Sequence, residues 1–225
     1  MSLPAGPYRT RIKFCGMTRA ADVDAAVSLG VDLVGFVLVP ASPRCVTADH
    51  AESLRQRLPP GVASVALFKD ASDADVAAAL SQFRPDWLQF HGRETADFCG
   101  RWNTPYLRAV AMRDTAIDLV AEAAAHPGAA ALLLDGHAPG EMGGSGQAFD
   151  WARARADIGR PLFVAGGLDA GNVARAVAQA WPYAVDVSSG IESAPGIKDS
   201  GKMADFVAAV READARRMPQ PPNRS

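Results

Sequence analysis

RIKFCG, residues Arg11–Gly16, is a short run in which apolar and polar side chains alternate before a glycine. In an extended strand successive side chains point to opposite faces, so Ile12 and Phe14 share one face and Lys13 and Cys15 the other. The apolar face suits a layer of covering helices, whereas Lys13 and Cys15 would line the inside of a closed sheet. Polar groups within a strand covered on both sides carry a desolvation cost unless they are paired or wet, so their positions are informative. The same parity recurs downstream. Gln89 and His91 share a face in DWLQFHG, Asp135 closes ALLLD, and Asp186 and Ser188 share a face in AVDVSSG.

Working outward from that first strand, short β-branched or apolar runs alternate with Ala-rich amphipathic segments, as a parallel sheet with crossover helices requires. Strands are expected at Thr10–Cys15, Asp32–Val39, Val62–Phe68, Asp86–Phe90, Tyr106–Ala111, Ala130–Asp135, Leu162–Ala165 and Ala184–Ser188. Helices such as Ala20–Leu29 and Asp73–Phe83 lie between them, with Thr18, Thr47 and Ser72 as N-caps, Gly30 closing the first and Pro59 and Pro60 ending the second. Eight such units predict an α/β fold, a single-domain (β/α)8 TIM barrel over residues 10–213. Residues 1–9 are expected to be an N-terminal extension and the Pro-rich 214–225 a disordered tail. Alternation alone does not show closure, so a doubly wound open sheet is the other architecture it allows.

With 225 residues and 48% hydrophobic content, the chain can bury one substantial core. A net charge of −2 offers no basic field for nucleic acid or anionic lipid. The three cysteines, Cys15, Cys45 and Cys99, lack the spacing of a disulfide framework or a zinc site, so no metal and a reducing compartment are expected. No run reaches the roughly 18 apolar residues of a membrane span, and the start lacks a signal-peptide pattern, so a cytoplasmic location is expected.

In parallel α/β folds the carboxyl ends of the strands hold the active site, which directs attention to Cys15 and Asp135. Lys13 on the same face as Cys15, Gly16 beside it and a helix N-terminus near Thr18 all favour a thiolate, whereas Cys45 and Cys99 read as structural. Asp135 closes an apolar run, where a protonated carboxyl could act as an acid and an ionised one could equally cap the next loop. His91 either fills the core or touches a ligand; His50, His126 and His137 fall in helix or loop segments and receive no role. Arg44, in the SPR run Ser42–Arg44, puts a forked donor near the same opening. VAGGLDAGNV (Val164–Val173) and VDVSSGIE (Val185–Glu192) set glycines or serines between strand and helix at the seventh and eighth positions, where backbone amides and the helix dipole suit phosphate. GEMGGSGQAFDW (Gly140–Trp151) reads as a lid, with a helix starting at Asp150 and Trp151.

In this order the residues resemble the phosphoribosylanthranilate isomerase family of tryptophan biosynthesis. The matching segments are KFCGMT at Lys13–Thr18, GFVLVPASPRCV at Gly35–Val46, LQFHGRE at Leu88–Glu94, LLLDG at Leu132–Gly136, GGSG at Gly143–Gly146, FDW at Phe149–Trp151, AGGL at Ala165–Leu168 and DVSSGIESAPGIKD at Asp186–Asp199. The resemblance implies an Amadori rearrangement of N-(5'-phosphoribosyl)anthranilate without cofactor or metal. It implies Cys15 as general base, Asp135 as general acid and Arg44 holding the anthranilate carboxylate. Gly166, Gly167, Ser189 and Gly190, helped by Gly144, would hold phosphate, with His91 at the substrate. The implied partner is a small phosphorylated molecule, the implied state monomer or homodimer. Phe14, Leu38 and Phe90 depart from the family's usual residues without altering a group that carries a proton or charge. Two other readings stand beside this one: the Amadori isomerase of histidine biosynthesis, which is expected to carry an aspartate where Cys15 stands, and a non-catalytic barrel that binds a sugar phosphate.

Overall fold

The computed structural model describes residues 9–137 and 148–217. It contains β1 (Arg11–Cys15), β2 (Leu33–Val37), β3 (Ala63–Phe68), β4 (Trp87–Phe90), β5 (Tyr106–Ala111), β6 (Ala131–Asp135), β7 (Leu162–Val164) and β8 (Ala184–Val187). Each lies within two residues of the run expected from the sequence. All neighbours are parallel, and β8 pairs back onto β1 with Lys13 opposite Asp186, so the sheet closes into a barrel. Closure rules out the open doubly wound sheet.

The crossovers carry α1 (Ala20–Ser28), α2 (Ala48–Arg55), α3 (Asp73–Gln82), α4 (Ala96–Gly100), α5 (Leu119–Ala125), α6 (Val173–Ala180) and α7 (Ser200–Arg217). Between β6 and β7 the described element is a single 3-10 turn, Trp151–Arg155, whose first amides are met by Asp150. A small antiparallel hairpin, β9 (Glu192–Ala194) and β10 (Ile197–Lys198), precedes α7. Thr47 and Ser72 cap their helices as expected, Ser72 through a reciprocal capping box with Asp75. Thr18 does not. Arg19 occupies the N-cap of α1 without a side-chain bond to the helix amides, and the Thr18 hydroxyl instead donates to the Gly196 carbonyl at 2.5 Å, tying the first loop to the hairpin.

The parity of the strands divides the core in two. Ile12, Phe14, Val34, Phe36, Ala66, Phe68, Leu88 and Phe90 face outward into the layer shared with the helices, where Phe206 of α7 meets Phe14 edge to face. Leu33, Val65, Leu107, Ala109, Leu133 and Phe163 fill the barrel interior. Each fully buried phenylalanine or leucine contributes about 1.5–3 kcal/mol, so the two layers together define the closed shape.

The lower rim is finished by carboxylates. Asp32 and Asp86, expected as the first strand residues, sit just before β2 and β4 and accept backbone amides from neighbouring strands, Asp32 from Ile12 at 2.9 Å and Asp86 from Ser64 at 2.8 Å. A third belongs to α7. Asp214 accepts from the Thr10 amide at 2.8 Å and the Thr10 hydroxyl at 2.6 Å, and its helix runs on to Arg217. The barrel therefore extends past the expected boundary at residue 213, because the last helix must reach back to close the first strand. Residues 1–8 and 218–225 lie outside the described residues. Replacing Asp214 with alanine removes both acceptors from a buried amide and hydroxyl; urea unfolding should show a loss of about 1–3 kcal/mol.

Candidate active site

Cys15 ends β1 and Asp135 ends β6, and both line a single cavity at the carboxyl ends of the strands. His91, Arg44 and Ser188 contribute from the loops after β4, β2 and β8, and Val37, Val39 and Leu67 make an apolar wall. Closure of the barrel brings these groups together from six strands, β1, β2, β3, β4, β6 and β8, and the loops that follow them.

Beneath the sulfur lies a buried ion pair: Lys13 Nζ meets Asp186 Oδ1 at 2.9 Å. Gly35 makes space for it, since a Cβ there would stand 2.9 Å from Cys15 Sγ and 3.2 Å from Lys13 Nζ. Burial by itself would strip Lys13 of its proton, but the Asp186 carboxylate and the Cys15 sulfur outweigh it and raise the ammonium's pKa. For Cys15 the balance differs from the thiolate expected. Burial pushes the thiol's pKa up, and the opposing pull of Lys13 only partly offsets it. The free protein thus holds Cys15 as a thiol next to a permanent cation. Cys45, expected to be structural, is exposed; Cys99 is buried, and burial pushes its pKa up to about 12.

Asp135 sits between two imidazoles. His91 Nε2 lies 3.5 Å from Oδ2, His137 Nδ1 lies 3.4 Å from Oδ1, and the two rings approach one another with nitrogens 3.3 Å apart. Burial raises the carboxyl's pKa, but the histidines on either side outweigh burial and hold it below the usual carboxylate range. His91 itself is pushed down to about 4, chiefly by burial, against the pull of Asp135. His137, given no role from sequence, is part of the site. It stands two residues after the strand end, where the loop turns its ring back over Asp135.

Arg44 does not present its fork to the cavity. Nε and Nη2 each meet a carboxylate oxygen of Glu192 at 2.7 Å, and Lys198 Nζ meets Glu192 Oε1 at 2.8 Å. The edge expected to grip a ligand carboxylate is therefore engaged within the protein, leaving the remaining guanidinium N–H groups for a ligand. Burial raises the pKa of Glu192, but Arg44 and Lys198 more than reverse it and hold the residue ionised. Glu192 and Lys198, on the hairpin strands, fall within the DVSSGIESAPGIKD match, yet a pairing across 148 residues leaves no local signal.

The two glycine-rich loops lie side by side. Gly166 and Gly167 have φ of +78° and +65°, a region closed to most side chains, and a Cβ on Gly166 would sit 2.2 Å from Gly136 N. A Cβ on Gly190 would reach within 1.9 Å of Leu168 O, so the loops after β7 and β8 touch through bare backbone. Ser189–Ile191 forms a 3-10 turn, and Asn172 Nδ2 donates to Gly167 O at 2.7 Å before α6 begins. Amides at such turns suit an anion. Gly144 and most of the expected lid fall within 138–147, outside the described residues.

Residues 12–209 match the family model described as N-(5'-phosphoribosyl)anthranilate (PRA) isomerase. The N-(5'-phosphoribosyl)anthranilate isomerase of Xanthomonas oryzae pv. oryzae is 49% identical over 216 residues, covering 94% of this chain and 97% of the relative. Phosphoribosyl anthranilate isomerase from Thermus thermophilus superposes with a TM-score of 0.81 at 35% identity, covering 90% of this chain and 99% of that one. A phosphoribosyl anthranilate isomerase solved in complex with reduced 1-(o-carboxyphenylamino)-1-deoxyribulose 5-phosphate is 30% identical with a TM-score of 0.76, covering 90% and 99%.

The Lys13–Asp186 pair predicts a measurable effect on the thiol above it. Lys13→Met removes the cation that lowers the Cys15 pKa, so alkylation of Cys15 by iodoacetamide should slow while that of Cys45 does not change, as read by peptide mapping. The unpaired Asp186 should also cost about 3–5 kcal/mol in denaturant unfolding. Equal alkylation of Cys15 in both proteins would remove Lys13 from the electrostatics of the sulfur.

Proposed function

This chain belongs to the N-(5'-phosphoribosyl)anthranilate isomerase family, and on that premise we propose how its residues divide the work of the reaction. The activity is the Amadori rearrangement of N-(5'-phosphoribosyl)anthranilate to 1-(2-carboxyphenylamino)-1-deoxyribulose 5-phosphate in tryptophan biosynthesis. The observation that carries the assignment of roles is that Cys15 and Asp135, from strands far apart around the barrel, line one cavity.

Asp135, in its protonated form, gives a proton to the ribose ring oxygen. The C1–O bond breaks and the anthranilate nitrogen takes the positive charge as an iminium. The C2 hydrogen is then acidic, and Cys15, as thiolate, removes it while the electron pair moves into the C1–C2 bond. The resulting enolamine relaxes to the C2 ketone as a proton returns to C1. The substrate nitrogen serves as electron sink. The negative carboxylate and phosphate of the bound substrate oppose ionisation of Asp135, and Lys13 stabilises the thiolate as it forms. The free edge of Arg44 addresses the anthranilate carboxylate. The backbone of Gly166, Gly167, Ser189 and Gly190 holds the phosphate, with Gly144 of the GGSG run assigned to help, and His91 borders the reacting carbons. Holding both ends of the substrate converts a two-proton reaction into a positioned one.

Cys15 at the end of β1 favours this substrate over that of the histidine-pathway isomerase, for which an aspartate is expected there. We place the working unit in one barrel domain, as a monomer or homodimer acting in the cytoplasm. Among the described residues no helix is long and apolar enough to cross a membrane.

Cys15→Ser and Asp135→Asn should each lower kcat by about 10²- to 10⁴-fold with unchanged unfolding curves, measured by loss of substrate fluorescence. Full activity in either variant would remove that residue from the proton transfers. The pH dependence follows from the two shifts. The reacting form needs Cys15 deprotonated, which burial disfavours, and Asp135 protonated, which its histidines disfavour. Between the two pKa values a rise in pH gains thiolate and loses carboxylic acid in equal proportion, so kcat/KM should be flat from about pH 5 to about pH 8. A steep change near neutrality would mean that one group titrates there, against this assignment.

A further inference from the structure

We propose that His91, Asp135 and His137 form a binding site for a divalent transition-metal ion of the zinc class, with the ion's remaining position open to the substrate cavity. The donor atoms converge: His91 Nε2 and His137 Nδ1 are 3.3 Å apart, and the Asp135 carboxylate meets each ring through a different oxygen, Oδ2 at 3.5 Å from His91 Nε2 and Oδ1 at 3.4 Å from His137 Nδ1; with one atom from each residue, all three lie within 4.8 Å of one another. Zinc bonds of about 2.0–2.1 Å at tetrahedral angles place neighbouring ligand atoms about 3.3–3.4 Å apart. The two ring nitrogens match that spacing, and each faces one oxygen of the carboxylate at 3.4 or 3.5 Å.

As a hydrogen-bonded cluster the same geometry is poor. The nitrogens are at the long limit for a hydrogen bond, and Asp135 Oδ1, in a residue only 6% exposed, has just the long 3.4 Å approach of His137 Nδ1 in place of a well-formed bond. Buried oxygens are seldom left in that condition, and an ion held between the carboxylate and the two rings would satisfy it together with both ring nitrogens. The three side chains are 7%, 9% and 4% exposed, and Asp135 ends β6 while His91 directly follows β4, the strands on either side of β5 in a closed barrel, so the ligands are held in place before any ion arrives.

Two imidazoles and one carboxylate are a ligand set that zinc accepts at sites with an open fourth position. Here the opening is the cavity that His91 and Asp135 share with Cys15. Of the cations nearby, Lys13 is already paired with Asp186, and Lys69 lines the cavity wall that the ion must share. An ion in this position occupies the carboxylate that the proposed function uses as proton donor. Metal binding and turnover are then mutually exclusive, a consequence that rests on that reading of Asp135, whereas the site itself does not.

The test uses the full chain stripped of metal, with Co²⁺ as spectroscopic probe and Zn²⁺ in calorimetry. The expected result is stoichiometric Co²⁺ with the intense visible bands of low coordination, displaced by Zn²⁺, retained in Cys15→Ser and lost in both His137→Gln and Asp135→Asn, each shown folded by circular dichroism. Absence of those bands at saturating Co²⁺ would overturn the site. So would bands that survive the His137 and Asp135 substitutions, or that vanish in Cys15→Ser, since the ion would then sit on other ligands. Zn²⁺ should inhibit the isomerase at the concentration that fills the site. Filling without inhibition would uphold the site and count against Asp135 as the acid.

Discussion

A lysine and an aspartate buried together inside the barrel are the interaction on which the rest depends. Lys13 and Asp186 lie opposite each other where β1 meets β8, the seam at which the sheet closes. Neither charge could remain there alone, so the pair commits both strands to one register, and through Cys15 and Ser188, two residues further along each, it commits the upper rim as well. Below it the interior is apolar and above it the chemistry begins. The pair is a boundary between a packed core and a reactive surface.

Burial acts on the two proposed proton carriers in the same direction and its neighbours decide the outcome. At Cys15 the cation below falls short of cancelling it, and the sulfur keeps its proton; at Asp135 two histidines exceed it, and the carboxyl is held ionised. In the free protein each group therefore rests in the form opposite to the one that reacts. A negatively charged substrate opposes ionisation of Asp135 and of Cys15 alike, so its entry favours the acid form that the proposed reaction needs, while the thiolate depends on the Lys13 cation beneath the sulfur.

Much of this was legible in the residues because a strand's period of two is rigid. Lys13 with Cys15, Gln89 with His91, and Asp186 with Ser188 could be assigned to the interior from parity alone, and the eight strands followed from alternation. The loops obey no such period. His137 could not be placed because its ring turns back across two loop residues, and Arg44's engagement with Glu192 joins segments that only the finished barrel brings together. Thr18 satisfied every local criterion for a helix cap and lost to a tertiary partner, the Gly196 carbonyl. Asp32 and Asp86 read as strand residues, yet their side chains replace the ladder they precede.

The bare backbone contact at Gly166 bears on how such a barrel can diversify. A Cβ on Gly166 would stand 2.2 Å from Gly136 N and 2.7 Å from Asp135 Oδ1, so the contact between the loops after the sixth and seventh strands has no room for a side chain. Variation in which molecules the cavity admits is thereby steered to the opposite side, where Val37, Val39 and Leu67 line it with side chains. There an exchange of one aliphatic group for another recontours the opening without displacing a strand, so the scaffold separates the part of its mouth that must be inherited unchanged from the part that can be remodelled.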